Sequence, residues 1–326
     1  MEFILRRTSA LYVLLQNVPA ARLKIQQRQL SQGEWLRRAR FGRYERVLPE
    51  GPSARDPSPP AAACVRPPYA DGTPPPPPPA APERKSPADV ARMRRACRLA
   101  RRLLDELRPL AKVGTTTAQL NDELWRQAIN AGAYPSPLNY RGFPRSICTS
   151  VNNVAVHGIP DNRPLCDGDI VTVDVTVYLD GVHGDCADTF LIGNVDEPGQ
   201  ALVKAAYMCR DAGISVCKSG VPFSAIGGAI ENAAAISKVT VVPAFVGHGI
   251  GSYFHGPPDI YHFAHGFPGM MEEGMTFTIE PVVAQGTEEV VILEDGWTAV
   301  MLDDGRAAQA EHTVLITENG FEILTQ

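Results

Sequence analysis

Five side chains in this sequence of 326 residues are of the types that bind metal ions. Asp174 and Asp185 lie eleven residues apart, and His248, Glu280 and Glu311 follow in contexts marked by glycine or proline. Four carboxylates and one imidazole suit divalent ions such as Mn²⁺, Co²⁺, Fe²⁺ or Zn²⁺. Without a cation, four clustered carboxylates would repel one another. Two such ions would lower the pKa of a bridging water and produce a hydroxide nucleophile. The set therefore predicts a two-metal hydrolytic site.

The two aspartates are expected to face each other across a β-hairpin. Residues 169–178 alternate strictly, with valines on one face and with Asp174 between two threonines on the other. Asp180-Gly181 then provides a two-residue turn of type I′. A hairpin closed directly by this turn pairs residues whose numbers sum to 361, so Asp174 opposes Ala187 and lies diagonal to Asp185. Diagonal neighbours are roughly 7–8 Å apart, which lets both carboxylates share a metal site.

The other three candidate ligands gain weight from their surroundings. His248 is flanked by glycines in Gly247–Gly251, which lets the backbone turn sharply, and the residues that follow do not begin the helix of a dinucleotide-binding motif. Pro281 holds Glu280 in an extended conformation, and Glu311 projects from a predicted strand. Each acid taken alone is more often a solvated strand residue or an ion-pair partner. Only the joint pattern favours a metal site.

The first part of the chain differs in charge from the rest. Up to Leu48 there are ten Lys or Arg and three acids, which leaves 21 basic and 33 acidic residues in the remainder. Apolar residues between Ile4 and Val18 share one helical face. These features predict that residues 1–48 form a basic targeting leader for an organelle, with a disordered basic tail as the alternative. A mitochondrial matrix location is expected, and a plastid location stays open.

Residues 49–85 are rich in proline, alanine and glycine and include six consecutive prolines, Pro74–Pro79. This composition predicts an extended, disordered linker, and a ligand for a proline-binding module is the alternative. Residues 86–326 are then the catalytic domain. Its acidic balance, and the absence of aromatic residues among the arginines of 92–102, predict a solvated basic face rather than nucleic-acid binding.

Cysteine usage and hydropathy restrict the cellular setting further. The seven cysteines are odd in number and form no C-x-x-C pair, which favours a reducing compartment over disulfides or a thiolate zinc site. No apolar stretch is long enough to cross a bilayer, so we expect no membrane insertion. A monomer is the default expectation.

Helical and strand patterns alternate along the body. Ser86 and Pro87 give a helix start, and further helices are expected at about 117–131, 198–216 and 223–236. Frequent hairpin turns favour an α+β fold with a mainly antiparallel sheet and helices on one side. The predicted strands are 147–156, 169–178, 182–192, 277–283, 290–293 and 311–317.

Several longer segments carry a family resemblance that extends from about Ala88 to Leu324. They are Tyr140–Asn153, Val156–Pro160, Asp167–Asp174, Asp180–Asp185, Gly247–Gly251, Phe254–His255, Thr278–Pro281 and Glu311–Thr313. In these segments the sequence resembles the type I methionine aminopeptidases, M24 metallopeptidases with a creatinase-like pita-bread fold. The resemblance implies a curved, mainly antiparallel sheet with helices on its outer face. With the basic leader, it points to the mitochondrial members. Val156 departs from the pattern, because many members have cysteine there.

The resemblance implies roles for the five ligands and for three catalytic groups. Two divalent ions, of Co, Mn, Fe or Zn, would be bridged by Asp185 and Glu311; Asp174 would complete one ion, and His248 with Glu280 the other. Glu280 would also be the general base. His255 would stabilise the oxyanion, and His157 would contact the substrate amide. The side chain of the first substrate residue would lie in a pocket lined by Tyr140, Phe143, Cys148, Phe254 and Trp297.

The implied reaction is removal of the initiator methionine from nascent polypeptides whose second residue is small, by attack of a hydroxide that bridges the two metals. Two alternatives stay open. A proline-directed aminopeptidase P or prolidase uses a similar ligand set but has a larger N-terminal domain. A non-catalytic pita-bread binding protein would typically have lost metal ligands, whereas this chain keeps all five.

Overall fold

The computed structural model describes residues 30–48, 55–59 and 62–326. The predicted leader face between Ile4 and Val18 lies outside the described residues. The chain divides into two units. Helix α1, Leu30–Phe41, belongs to the first unit. The second unit runs from Arg43 to Gln326 and contains every other element.

The second unit has four described α-helices. Both ends were predicted for the last three, and each observed end lies within one residue of its prediction. They are α2 Pro87–Leu107, α3 Thr117–Asn130, α4 Glu197–Ser215 and α5 Ser224–Ser237. Helix α2 begins with a capping box, in which Ser86 Oγ accepts from the backbone N–H of Asp89 and the Asp89 carboxylate accepts from that of Ser86. Its apolar stripe from Val90 to Leu107 is buried. Within the described residues, no helix has both the length and the apolar character to cross a membrane.

Fifteen short and long strands are described, numbered in chain order. They are β1 Tyr134–Pro135, β2 Cys148–Val151, β3 Val154–Val156, β4 Ile170–Leu179, β5 Val182–Leu191, β6 Thr240–Val241, β7 Gly247–Gly249, β8 Gly256–Ile260, β9 Thr276–Ile279, β10 Val282–Ala284, β11 Val290–Ile292, β12 Ala299–Met301, β13 Ala307–Gln309, β14 His312–Thr317 and β15 Gly320–Ile323. Two expected strands are each divided. The strand 147–156 is interrupted at Asn152, which has a left-handed backbone (φ 53°), and the strand 277–283 is interrupted at Glu280 and Pro281.

The β4–β5 hairpin has the predicted register along its whole length. Asp174 pairs with Ala187 and Thr176 with Asp185, without a bulge. The turn residues Asp180 and Gly181 both have positive φ, 53° and 84°, as a type I′ turn requires. The prediction that Asp174 and Asp185 share one face is therefore confirmed.

The strands form two larger sheets, and every described strand pairing is antiparallel. In the first sheet, β5 pairs with one edge of β4, and β1 and β2 pair with the other. The second sheet has the order β15-β14-β9-β7-β8. The valine face of β4 packs in one hydrophobic cluster with α2 and α3. Residues of β9 and β14 pack in another with α4 and α5. Each large sheet thus has one face covered by two helices, and the predicted α+β architecture is confirmed.

The described part of residues 49–85 packs on the body, which its composition did not predict. The Asp56 carboxylate accepts from Ser146 Oγ at 2.6 Å and pairs with Arg145 at 2.8 Å. Tyr69 is buried, and its hydroxyl donates to the Ser136 carbonyl at 2.8 Å. These bonds depend on partners far along the chain, which a local composition argument does not include. The domain boundaries at residues 48 and 85 stay a prediction.

Candidate active site

The five predicted ligands project from both sheets toward one place. Asp174 and Asp185 come from β4 and β5, and His248 from β7. Glu280 directly follows β9, and Glu311 directly precedes β14. One ligand atom from each of Asp185, His248 and Glu311 lies within 4.8 Å of the other two. The carboxylates and the imidazole are therefore close enough to share metal ions.

The remaining two ligands each contact a member of that group of three. Oε1 of Glu280 lies 3.5 Å from Nε2 of His248, and Oδ2 of Asp185 lies 3.8 Å from the same nitrogen. Asp174 lies diagonal to Asp185 across the hairpin, and its carboxylate helps to raise the pKa of Asp185. The structure thus brings all five predicted ligands together.

Glycines let β7 approach its neighbours closely enough to position His248. A Cβ on Gly247 would lie 2.3 Å from the carbonyl oxygen of Thr278, and one on Gly249 would lie 1.9 Å from that of Pro257. Both distances are shorter than any real Cβ contact, so only glycine allows this spacing. The predicted role of the glycines beside His248 has a structural basis in these contacts.

Three polar side chains hold the ligands in position. Thr176 donates to Oδ1 of Asp185 at 2.6 Å. Thr278 donates to Oε1 of Glu280 at 2.7 Å and accepts from the backbone N–H of His248 at 2.9 Å. Such partners fix the orientation of a ligand and raise its affinity for metal. Gln309 completes the support by donating to the other carboxylate oxygen of Glu280 at 3.2 Å.

Burial without a cation makes the charged carboxylates unfavourable. Burial raises the pKa of Asp174 to about 7 and that of Glu280 to about 8. For Asp185 and Glu311, burial and then the neighbouring carboxylates raise the pKa well above the usual range. Burial also lowers the pKa of His248 to about 4, which keeps its imidazole neutral and able to bind metal.

The donor set fits divalent cations. Oε1 of Glu311 is buried and has no hydrogen-bond partner. Among the described residues, no lysine or arginine forms an ion pair with any of the four carboxylates. A cluster of buried carboxylates that lacks a protein cation requires either protonation or bound metal. Carboxylate oxygens with one imidazole are ligands that Mn²⁺, Fe²⁺, Co²⁺ and Zn²⁺ accept.

Two further histidines were predicted to act at the site, and His255 lies beside a predicted ligand whereas His157 lies beside Trp297. The ring centroid of His255 lies 4.2 Å from that of His248 and 5.0 Å from that of Tyr140. His157 has a left-handed backbone (φ 56°), and the next residue, Gly158, approaches the Thr149 carbonyl so closely that a Cβ would lie 2.1 Å from it. Burial lowers the pKa of both histidines, to about 4 for His157, so both rings are neutral.

The five predicted pocket residues form two groups. Phe143 and Cys148 pack together with Trp297, and the rings of Phe143 and Trp297 meet edge to face at 5.2 Å. Tyr140 and Phe254 pack with their ring centroids 4.9 Å apart in a second cluster. A backbone hydrogen bond from Phe143 N to Tyr140 O, of 3.0 Å, joins the two groups. The substrate roles of these residues stay a prediction.

Sequence reasoning missed several residues around the ligands. The supporting role of Thr176 and Thr278 could have been suspected, because each shares a strand face with a ligand two residues away or across the hairpin. Nothing local indicated His262, whose Nε2 accepts from the backbone N–H of Glu280 at 3.2 Å. His183, stacked on Phe254 at 5.1 Å, was also missed.

The comparisons with known proteins agree with this geometry. Residues 91–318 match the model of metallopeptidase family M24. The chain therefore belongs to metallopeptidase family M24, as the resemblance implied.

The match is closer to some members than to others. The chain is 48% identical to mitochondrial methionine aminopeptidase 1D of Homo sapiens over 89% of this chain and 86% of that protein. It is 49% identical to chloroplastic methionine aminopeptidase 1B of Arabidopsis thaliana over 80% and 71% of the two chains. The crystal structure of methionine aminopeptidase from Rickettsia prowazekii superposes with a TM-score of 0.74 at 40% identity, covering 75% of this chain and all of that one. Within the family, this chain is a type I methionine aminopeptidase with the pita-bread fold.

Proposed function

We propose that this chain removes the initiator methionine from newly made polypeptides whose second residue is small, with two divalent metal ions. The observation that carries the proposal is the convergence of Asp185, His248 and Glu311 within 4.8 Å, in a cluster to which no lysine or arginine of the described residues forms an ion pair. The names of the curated relatives support methionine as the first substrate residue.

Two ions would be held by the five ligands. Asp185 and Glu311 would bridge them, Asp174 would complete one ion, and His248 and Glu280 would complete the other. When bound, the ions would activate a water molecule and bind the free α-amine of the substrate. The ligand types accept Mn²⁺, Co²⁺, Fe²⁺ or Zn²⁺, and cellular supply decides between them.

Glu280 is suited to accept the proton of the attacking water. Its carboxylate lies 3.5 Å from the imidazole of His248, so it can reach a water molecule held at the same place. Thr278 and Gln309 each donate to one of its carboxylate oxygens, so the side chain is fixed in orientation. Glu280 would then return the proton to the leaving amine.

The two neutral histidines would act on the substrate amide. A neutral ring can donate its N–H to the oxyanion that develops on the carbonyl oxygen, and this role is proposed for His255. His157 would contact the amide of the same peptide bond. The backbone of His157 is left-handed, and the close contact of Gly158 with the Thr149 carbonyl leaves the neighbouring chain no space to move. The position of the His157 ring is fixed for this reason.

The methionine side chain would lie against Phe143, Cys148 and Trp297, with Tyr140 and Phe254 beside it. A thioether sulfur gains about 0.3–1.5 kcal/mol from each aromatic contact. The edge-to-face pair of Phe143 and Trp297 offers two such surfaces. Methionine is therefore favoured over a branched side chain of similar size.

The test is peptide cleavage by the full chain after chelation and resupply of Mn²⁺ or Co²⁺. We expect metal-dependent release of methionine from peptides that begin Met-Ala or Met-Gly, and none from Met-Lys. Elemental analysis of the active protein should give two ions per chain, and one ion would contradict the dinuclear site. Cleavage of Ala-Pro peptides alone would assign the chain to the proline-directed branch. No cleavage with any metal would leave a binding protein.

The location in the cell is proposed separately. Relatives of this chain are named mitochondrial or chloroplastic, and its first 48 residues are basic. We propose that residues 1–48 direct import into mitochondria. A reporter protein that carries them should reach the matrix, and diffuse cytosolic signal would contradict the proposal.

A further inference from the structure

The run of prolines lies beside the candidate active site. Pro75–Pro79, here called the proline strap, forms one wall of a cavity of about 480 Å³. The rest of its lining includes Tyr140, Arg141, Phe254 and His255. This volume falls within the range of sites that bind small ligands or peptide segments.

The body holds the chain on both sides of the strap. Before it, Tyr69 is buried and Asn139 donates to the Ala70 carbonyl at 2.8 Å. After it, the backbone N–H of Lys85 donates to the Gly274 carbonyl at 2.7 Å. Nζ of Lys85 lies 4.7 Å from the centre of the Tyr253 ring, which also lines the cavity. The strap is therefore a fixed wall between two anchors.

Proline makes this wall stiff. Consecutive prolines favour an extended polyproline II conformation that needs no internal hydrogen bonds. A surface that is already ordered loses little entropy when a peptide binds to it. The strap also lies against the body near Gly256, where a Cβ would lie 3.0 Å from Cβ of Pro78.

The position of the cavity indicates which part of a substrate would enter it. His255 lies in its wall and beside the metal ligand His248. Of the five predicted methionine-pocket residues, Tyr140 and Phe254 line the cavity, and Phe143, Cys148 and Trp297 do not. The cavity thus begins at the rim of that pocket, and a substrate chain that continues past His255, beyond the second residue, would enter it.

Charge indicates what those residues would carry. Arg141 is exposed and is the one lysine, arginine or carboxylate side chain in the lining of this cavity. Its guanidinium lies 5.4 Å from the centre of the Tyr140 ring, and among the described residues it forms no ion pair with a carboxylate. An acidic substrate side chain would be attracted to it, and a basic one repelled.

Building on the proposed function, we propose that the proline strap and Arg141 form a subsite for the substrate residues that follow the second one, with a preference for an acidic side chain. The strap then selects among polypeptides that all begin with methionine and a small residue.

The experiment compares Met-Ala with Met-Ala-Glu-Ser-Gly and Met-Ala-Lys-Ser-Gly as substrates of the metal-loaded full chain. The unmodified chain should prefer the Glu peptide over the Lys peptide by about fivefold in kcat/KM, as a partly exposed ion pair allows. Arg141→Gln should remove this preference and Arg141→Glu should invert it. A preference that persists in both variants would overturn the role of Arg141.

A second variant replaces Pro75–Pro79 by alternating glycine and serine, so the length and both anchors are kept. The ratio of kcat/KM for Met-Ala-Glu-Ser-Gly to that for Met-Ala should fall about tenfold, mainly through KM. The matched control, Pro74→Ser with Ala80→Ser, changes neighbouring residues that do not line the cavity and should keep the ratio. An unchanged ratio in the strap variant, or faster cleavage of the long peptide, would overturn the inference. If the unmodified chain released methionine from none of the peptides, the proposed function would fail and this inference with it.

Discussion

The two sheets contribute the predicted metal ligands in different ways. The first sheet provides Asp174 and Asp185 from one continuous hairpin, and their relative position follows from its register. The second provides His248 from within a strand and Glu280 and Glu311 from beside two others, with successive residues 32 and 31 positions apart. Their relative position follows from the strand order β14-β9-β7.

The ligand positions in the two sheets therefore depend on different features of the chain. A hairpin with a type I′ turn positions its side chains through local pairing, which a single sequence segment encodes. In the second sheet, the ligand positions depend on close backbone contacts that only glycine at positions 247 and 249 permits. This sheet also carries the groups proposed for proton transfer and oxyanion stabilisation, Glu280 and His255. Changes in the second sheet should therefore have the broader consequences.

The largest effect is expected for Glu280→Gln. The substitution keeps the shape of the side chain but removes the base, so kcat should fall by about 10³-fold or more, within the range of acid–base catalysis. Methionine release and bound metal should both be measured, to separate loss of the base from loss of an ion. Glu231→Gln on the exposed face of α5 is the matched control. Full activity of Glu280→Gln would show that the second sheet does not supply the base.

His255→Ala should lower kcat by about 10²-fold, the loss found when one oxyanion donor is removed. His265→Ala provides the control, because His265 lies ten residues further along the chain, accepts from the backbone N–H of Phe267 and packs against the rings of Tyr261 and Phe267. Steady-state kinetics on a Met-Ala peptide measure both. If His255→Ala turned over at the unmodified rate, the ring would serve packing alone.

The two supporting threonines offer a direct comparison of the sheets. Thr278 contacts two ligands, Glu280 and His248, whereas Thr176 contacts only Asp185. Loss of such a partner weakens metal binding about 10–100-fold, so Thr278→Val should lie at the upper end and Thr176→Val at the lower. Calorimetric titration with Mn²⁺ measures both. Equal losses would mean that the two sheets do not differ in this respect.

Stability should also depend on the close approach of β7. Gly249→Ala places a Cβ 1.9 Å from the Pro257 carbonyl, so the backbone must shift, at a cost of about 1–3 kcal/mol. Gly228→Ala within α5 meets nothing within 4 Å and should stabilise the protein by about 0.5–1 kcal/mol. Urea denaturation of the metal-loaded proteins gives both values. If Gly249→Ala left the free energy of unfolding unchanged, β7 would have room to move.

Removal of metal should change how stability depends on pH. Burial raises the folded-state pKa of Asp174 to about 7 and of Glu280 to about 8, above the values near 4 of unfolded carboxyls. Their neutral forms then favour the folded state below about pH 4, and this contribution is lost as pH rises through about 7 to 8. The melting temperature of the chelated protein should therefore fall from pH 5 to pH 8. The melting temperature of the metal-loaded protein should decline less over this pH range. The same dependence on pH with and without metal would contradict a cluster of buried carboxylates.

Local signals predicted a large part of the fold. The cap at Ser86, the apolar stripe of α2 and the turn at Asp180-Gly181 are each encoded within a few residues, and all are present. The predicted solvated basic face of α2 does not include Arg101, whose side chain is mostly buried and pairs with Asp188 at 2.9 Å. The sequence pattern of a helix face gives no information about a buried carboxylate that lies 87 positions away.

The sequence by itself determined the five ligand types, the hairpin register and the order of helices and strands, because these depend on side-chain chemistry and short-range periodicity. Only the tertiary structure decided that His248 meets Glu280 and Asp185, that threonines support the carboxylates, and that Pro75–Pro79 border the cleft. Each of these contacts joins segments distant in the chain. Their formation depends on how whole sheets pack and how closely backbones approach, which local periodicity does not specify.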